Sequence, residues 1–246
     1  MDSKMNLNRH KYPAMPVGNC LMKRITVLLA EDHAIVREGF RKILELEDDL
    51  EVVGEAENGR QAVNLVEKLR PAVVIMDIAM PLLNGLEATR QILKAVPSTR
   101  ILILSAHNDG TYVKSATESG AAGFLLKQAS AHVLSKGIRE VNKGNTFFGP
   151  FITKLLPEGE WKSLDRAGWL KPRNSDLTSR EMEVLQLIAE GNANKQAAAE
   201  LDIGIKTVEK HREHLMEKLD IHDTASLTRY AISAGIIENS VQLTIV

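Results

Sequence analysis

Five short apolar runs recur between residues 25 and 127, and their spacing constrains the fold more than any other feature. ITVLLA (25–30), EVVGEA (51–56), AVVIMD (72–77), RILILS (100–105) and AGFLLK (122–127) are each of strand length and mostly apolar on both faces. A parallel strand covered by helices on both sides reads this way. Segments with helical periodicity stand between them, at 34–47, 60–69, 84–95, 110–119 and 130–142. Five strand–helix repeats predict a parallel α/β domain with right-handed crossovers.

The rest of the chain divides by composition. Residues 1–22 are polar, broken by Pro13 and Pro16, and are expected to form a disordered leader, with Met22 as an alternative start. The α/β domain is placed at 23–143 and a linker at 144–173, with a short helix at 151–156. That linker holds Phe147, Phe148, Phe151, Trp161 and Trp169, half of the chain's ten aromatic residues. Packing against a neighbouring domain is the expectation for them; a partner-binding surface is the alternative.

Residues 174–240 form the second domain, all-helical. Thr178 and Glu181 have the spacing of a capping box. Helices are expected after it, at 194–201, at about 205–219 and at about 224–234, the last behind Asp223 as N-cap. A tight turn at 202–204 between two of them suggests a helix-turn-helix.

Composition excludes several classes. An apolar fraction of 44% with 26% charged residues excludes a wholly disordered chain. No run approaches the roughly 18 apolar residues of a membrane span, so no membrane partner is expected. The single cysteine, Cys20, cannot form an internal disulfide, which fits a cytoplasmic protein.

Charged residues stand where strands end: Glu31 and Asp32 after the first, Asp77 after the third, Lys127 after the fifth. That edge of an open parallel sheet is where ligands bind. If the first and third strands are neighbours, three carboxylates converge and require a cation. Hard oxygen ligands favour Mg²⁺. A carboxylate-held metal commonly serves phosphate chemistry, Lys127 and Ser105 can contact the phosphoryl oxygens, and one carboxylate can become an aspartyl phosphate.

These residues resemble the receiver domain of two-component response regulators. The likeness rests on Glu31-Asp32, Asp77 within VVIMDIAMP, Ser105 within LILSAH and Lys127 within GAAGFLLK. It implies a doubly wound five-stranded sheet. It implies that Asp77 accepts a phosphoryl group from a sensor histidine kinase. Mg²⁺ would be held by Glu31, Asp32, Asp77 and the backbone carbonyl of Ala79. Ser105 and Lys127 would contact the phosphoryl group, and Ser105 and Phe124 would be the switch positions.

The segment 177–221 resembles the LuxR-type helix-turn-helix of the NarL/FixJ response regulators. Leu177-Thr178, Arg180-Glu181, Gly191, Asn194-Lys195, Lys206-Thr207-Val208 and Lys218-Leu219 carry the likeness. It implies that helix 205–219 enters the major groove of double-stranded DNA. With Val208, Leu215 and Leu219 inward, Lys206, Glu209, Lys210, Glu213 and Glu217 point outward. Lys206, Thr207, Lys210, Arg212 and Lys195 are the expected DNA contacts. The last helix, with Leu227, Tyr230, Ala231 and Ile232, closes the domain core or forms a homodimer contact.

The reading is a phosphorylation-controlled transcription regulator, not an enzyme. A Mg²⁺-dependent phosphatase usually carries a second acid two residues after its nucleophile, and here that position is Ala79. A protein-interaction module is the third class. The net charge of −1 hides an uneven distribution, since residues 174–246 carry 7 basic against 12 acidic side chains. Non-specific DNA binding is therefore expected to be weak, with dimerisation required to hold a site.

Overall fold

The computed structural model describes residues 24–106, 110–150, 152–155 and 177–237. The expected leader, His107, Phe151, Trp161 and Trp169 lie outside these residues. The first part alternates β1 (Ile25–Ala30), α1 (Ala34–Glu45), β2 (Leu50–Ala56), α2 (Gly59–Leu69), β3 (Val73–Asp77), α3 (Gly85–Ala95), β4 (Arg100–Ser105), α4 (Gly110–Glu118), β5 (Gly123–Leu126) and α5 (Ala131–Asn142). Then come β6 (Phe147–Phe148) and the short α6 (Ile152–Leu155). The helical part contains α7 (Ser179–Ala189), α8 (Asn194–Glu200), α9 (Ile205–Leu219) and α10 (Thr224–Ser233).

All strand pairings are parallel, in the order β2-β1-β3-β4-β5-β6. The sheet has six strands, so the five-stranded expectation is one short. The sixth comes from the segment assigned to the linker, and two glycines make room for it. A Cβ on Gly123 would meet Phe147 O at 2.5 Å, and one on Gly137 would meet the Phe147 ring at 2.9 Å. Phe147 packs against the core on one sheet face and Phe148 against the core on the other. These two aromatics therefore close the sheet edge.

The central strands alternate between two cores. Leu28, Val74, Met76, Ile101 and Ile103 face α2, α3 and α4; Val27, Leu29, Val73, Ile75, Leu102 and Leu104 face α1 and α5. That is the period-2 rule of a pleated strand with both faces covered. Each fully buried aliphatic side chain contributes about 1.5–3 kcal/mol. The strand ends thus become rigid mounts for whatever side chains follow them.

The helical part has its own core, which includes Val184, Leu187, Ile188, Ala197, Val208, Leu215, Leu227 and Ala231. Thr178 and Glu181 form the capping box at α7, and Asp223 Oδ1 accepts the Ser226 amide at α10. Gly204 caps α9 without a side-chain bond, and Asp202 takes a left-handed φ of 50° in the preceding turn. No described helix is long and apolar enough to cross a membrane.

Candidate functional site

Parallel pairing brings the carboxylates together. Ala30 lies opposite Met76 in the β1–β3 register, so Glu31 and Asp77 emerge side by side. Ser105 pairs with Leu126 in the β4–β5 register, and Ser105 O accepts the Lys127 amide at 2.8 Å. Asp77 is 4% exposed, Glu31 3% and Ser105 1%. Phe124 is fully buried among the side chains on the α2–α4 side of the sheet, so its ring already points inward.

Lys127 Nζ stands 2.8 Å from Asp77 Oδ2 and 2.8 Å from Glu31 Oε2. Asp77 Oδ1 accepts the backbone amide of Ile78 at 2.8 Å. Burial, and then the charge of Glu31, push the Asp77 carboxyl up to about 7; Lys127 opposes the shift without cancelling it. Burial works against the Lys127 charge, yet Asp77 and Glu31 hold its ammonium above its ordinary range.

Asp32 is the more open acid. Its Oδ1 is shielded from solvent and pairs with the neighbouring His33 ring. His33 Nδ1 lies 2.8 Å from that atom and 3.2 Å from Glu31 Oε1. Asp32, above all, raises the His33 pKa, against a smaller effect of burial. Sequence reasoning passed over His33, although it directly follows Asp32 and its ring reaches the same carboxylates. The donors fit a hard divalent cation, because the Glu31 and Asp32 carboxylate oxygens lie within 4.8 Å of one another. Ala79 lines the cleft beside Asp32 and His33.

The loop from β3 to α3 fits only because residue 85 is glycine. A Cβ there would lie 1.8 Å from the Asp77 carbonyl oxygen. Gly85 instead donates its amide to Ile78 O at 2.8 Å, and Asn84 caps α3 by accepting the Glu87 amide. The first turn of α3 is thereby pressed against the backbone of Asp77.

In the helical part, the outward face of α9 is exposed. Lys206, Thr207, Glu209, Lys210, Glu213 and Glu217 are all open to solvent, as is Lys195 at the start of α8. His211 is half-buried on the Val208 side. Arg212 differs from the other cations. It donates to Asn194 Oδ1 at 3.2 Å and Thr224 Oγ1 at 2.7 Å, tying α9 to α8 and α10.

The two parts match separate family models. Residues 27–139 match the response regulator receiver domain, and residues 175–231 match the bacterial regulatory proteins of the luxR family. Among known proteins, the oxygen regulatory protein NreC of Staphylococcus carnosus is 37% identical, over 86% of this chain and 99% of that protein. The chain belongs to the NarL/FixJ response regulators. The transcriptional regulatory protein DegU of Brevibacillus brevis is 35% identical, over 86% of this response regulator and 94% of that protein. A structure of the Salmonella typhimurium RcsB response regulator aligns with a TM-score of 0.51 at 30% identity, over 86% of this chain and all of that one. An RcsB–DNA complex aligns with a TM-score of 0.52 at 29% identity, over 86% and 99%.

One feature of this response regulator had no signal in its sequence pattern. Helix α7 is buried on nearly all sides, including its polar residues Glu183 and Gln186. Its polar face rests on the receiver. Gln186 Oε1 accepts the Asn84 amide at 2.7 Å, and Gln186 Nε2 donates to Met80 O at 2.9 Å. Glu190 accepts the Leu82 amide, and Glu183 accepts from Gln91 at 2.7 Å. Leu82, at a left-handed φ of 66°, packs against the helical core. A second contact sets Tyr112 of α4 against Gly235, where a Cβ would lie 2.6 Å from the ring. The receiver therefore holds α7 and the chain just after α10, and leaves the outer face of α9 open.

Proposed function

We propose that this response regulator is a phosphorylation-controlled transcription factor acting in the cytoplasm. Residues 23–143, completed by the strand at 147–148, receive the phosphoryl group, the rest of 144–173 connects, and 174–240 bind double-stranded DNA. The observation that carries the reading is the convergence of Glu31, Asp32, Asp77 and Lys127 at one sheet edge, on a chain that also presents an exposed α9.

Asp77 is the phosphoacceptor. Its carboxylate oxygen attacks the phosphorus of a phosphohistidine on a sensor histidine kinase; the P–N bond breaks, and the electron pair returns to the imidazole. Bound Mg²⁺ would offset charge on the phosphoryl oxygens. Glu31, Asp32, Asp77 and the Ala79 carbonyl are the residues to hold it. Lys127 is placed to pair with a phosphoryl oxygen in exchange for Asp77 Oδ2. Ser105 reports the phosphoryl group by moving its hydroxyl, and Phe124 with α4 is the element that repacks.

On the DNA side, Lys206, Thr207 and Lys210 meet the duplex first, with Lys195 on the backbone. Arg212 holds the three helices in register and meets phosphate only at the edge of that role. The outer face of α9 is already exposed, so phosphorylation acts through the relation between the two parts and through homodimerisation. A phosphatase reading is not favoured, because Ala79 offers no acid two residues after Asp77. The test is phosphotransfer from a low-molecular-weight phosphoramidate, read by mass spectrometry. A single Mg²⁺-dependent phosphoryl on the wild type and none on Asp77→Asn is expected. Equal labelling of both would overturn the assignment.

A further inference from the structure

Gln186 lies on the DNA-binding side of the molecule, yet it is built into the phosphoryl site. Its side chain makes all four hydrogen bonds an amide can make. Oε1 accepts from the Asn84 backbone and side-chain nitrogens at 2.7 and 3.2 Å. Nε2 donates to Met80 O at 2.9 Å and to Glu190 Oε1 at 2.7 Å. The residue is 1% exposed. A buried amide with every donor and acceptor used is fixed in position.

What it fixes is the β3–α3 loop. Met80 follows the Ala79 carbonyl, and Asn84 precedes the glycine pressed on the Asp77 backbone. Between them sits Leu82, a branched residue at positive φ, a strained conformation that persists only where the surroundings impose it. The surroundings here are Glu190, which accepts the Leu82 amide at 3.2 and 3.3 Å, and the helical core, against which the side chain packs. The loop that follows the acceptor aspartate is therefore clamped by the other domain.

We infer that Gln186 is a positioning residue for the phosphoryl site, holding the β3–α3 loop in its resting geometry so that the DNA-binding domain itself opposes phosphorylation. The inference rests on the assignment of Asp77 as phosphoacceptor. Any shift of the Ala79 carbonyl toward a cation must carry Met80 with it, and hence either break the Gln186 bond or move α7. Coupling of this kind is reciprocal: a phosphoryl group at Asp77 loosens the clamp by the factor by which the clamp weakens the phosphoryl group.

The test uses the full chain and beryllofluoride with Mg²⁺ as the phosphoryl stand-in, its affinity measured by fluorine NMR. The variants are Gln186→Met, which keeps the volume and removes the four bonds, and Leu82→Ala, which acts from the receiver side and removes the side chain that packs on the helical core. Lys136→Ala, exposed on α5 on the sheet face opposite Met80 and Leu83, is the control, and thermal unfolding establishes that each variant is folded. Both clamp variants are expected to bind beryllofluoride about fivefold more tightly than wild type or Lys136→Ala, the lower end of typical coupling. Unchanged or weaker binding in a folded variant would overturn the inference while leaving Asp77 as acceptor. Wild-type binding no better than that of Asp77→Asn would instead remove the acceptor assignment, and the inference with it.

Discussion

Lys127 bridges Asp77 and Glu31 with its Nζ 2.8 Å from an oxygen of each, so one ammonium is shared by two carboxylates at a buried strand end. A phosphoryl group on Asp77 would present new oxygens to the same ammonium. A hydrogen bond to a charged partner is worth about 1.5–3 kcal/mol. Lys127→Met is accordingly expected to weaken beryllofluoride binding roughly 10- to 100-fold, with the fold intact by circular dichroism.

The same burial sets a pH dependence. The Asp77 carboxyl is raised to about 7 in the folded protein, well above its value in an unfolded chain. A raised carboxyl stabilises the fold below the unfolded value and loses that contribution as pH rises through about 7. Without divalent cation, the melting temperature should therefore fall between pH 5 and pH 8. Asp77→Asn should flatten the fall and melt higher than wild type at pH 8. A wild-type melting temperature that rises across this range in the presence of a chelator would contradict the assignment.

Glu190 gives the contact between the domains a pH dependence of its own. Burial raises its carboxyl, while Gln186, the Leu82 amide and Arg60 pull against the shift; Asp32 and His33 face it across a cleft of about 410 Å³. A raised carboxyl favours the arrangement that buries it at lower pH. Small-angle scattering should show a more compact particle at pH 5 than at pH 8, and Glu190→Gln should be compact at both.

Gly85 is expected to tolerate no side chain. An alanine Cβ would fall 1.8 Å from the Asp77 carbonyl oxygen, and backbone cannot yield as a flexible side chain would. Gly85→Ala should cost about 1–3 kcal/mol or more, as overpacking does, measured by urea unfolding.

Much of this architecture is legible in the sequence for a plain reason. Val27 to Ala30, Val73 to Met76 and Ile101 to Leu104 are buried on both faces, and continuous apolar runs announce that. Glu31, Asp32, Asp77 and Lys127 follow such runs, so parallel order alone gathers them. Other features were not legible. Phe147-Phe148 is too short for a periodic signal, and its place depends on hollows left by Gly123 and Gly137. Gln186 reads as one more polar residue on an amphipathic helix, because its partners lie about a hundred positions away. The bonds of Arg212 to Asn194 and Thr224, which tie three helices together, were likewise invisible in its spacing.

That last difference separates two cations on one helix. Lys210 is exposed on the outer face of α9, so Lys210→Ala should weaken duplex binding similarly for all sequences and reduce the salt slope by about 1. Arg212→Ala should lower the melting temperature of the helical domain as well, because it unties α9 from α8 and α10.

The central claim is that a phosphoryl group at Asp77 controls DNA binding by α9. The most direct measurement is the affinity of the full chain for its operator duplex, with and without beryllofluoride and Mg²⁺, for wild type and Asp77→Asn at fixed salt. The account predicts that beryllofluoride tightens wild-type binding and promotes its dimer, and that Asp77→Asn responds to neither. Equal operator affinity of the wild type with and without beryllofluoride, at saturation of the acceptor site, would contradict it.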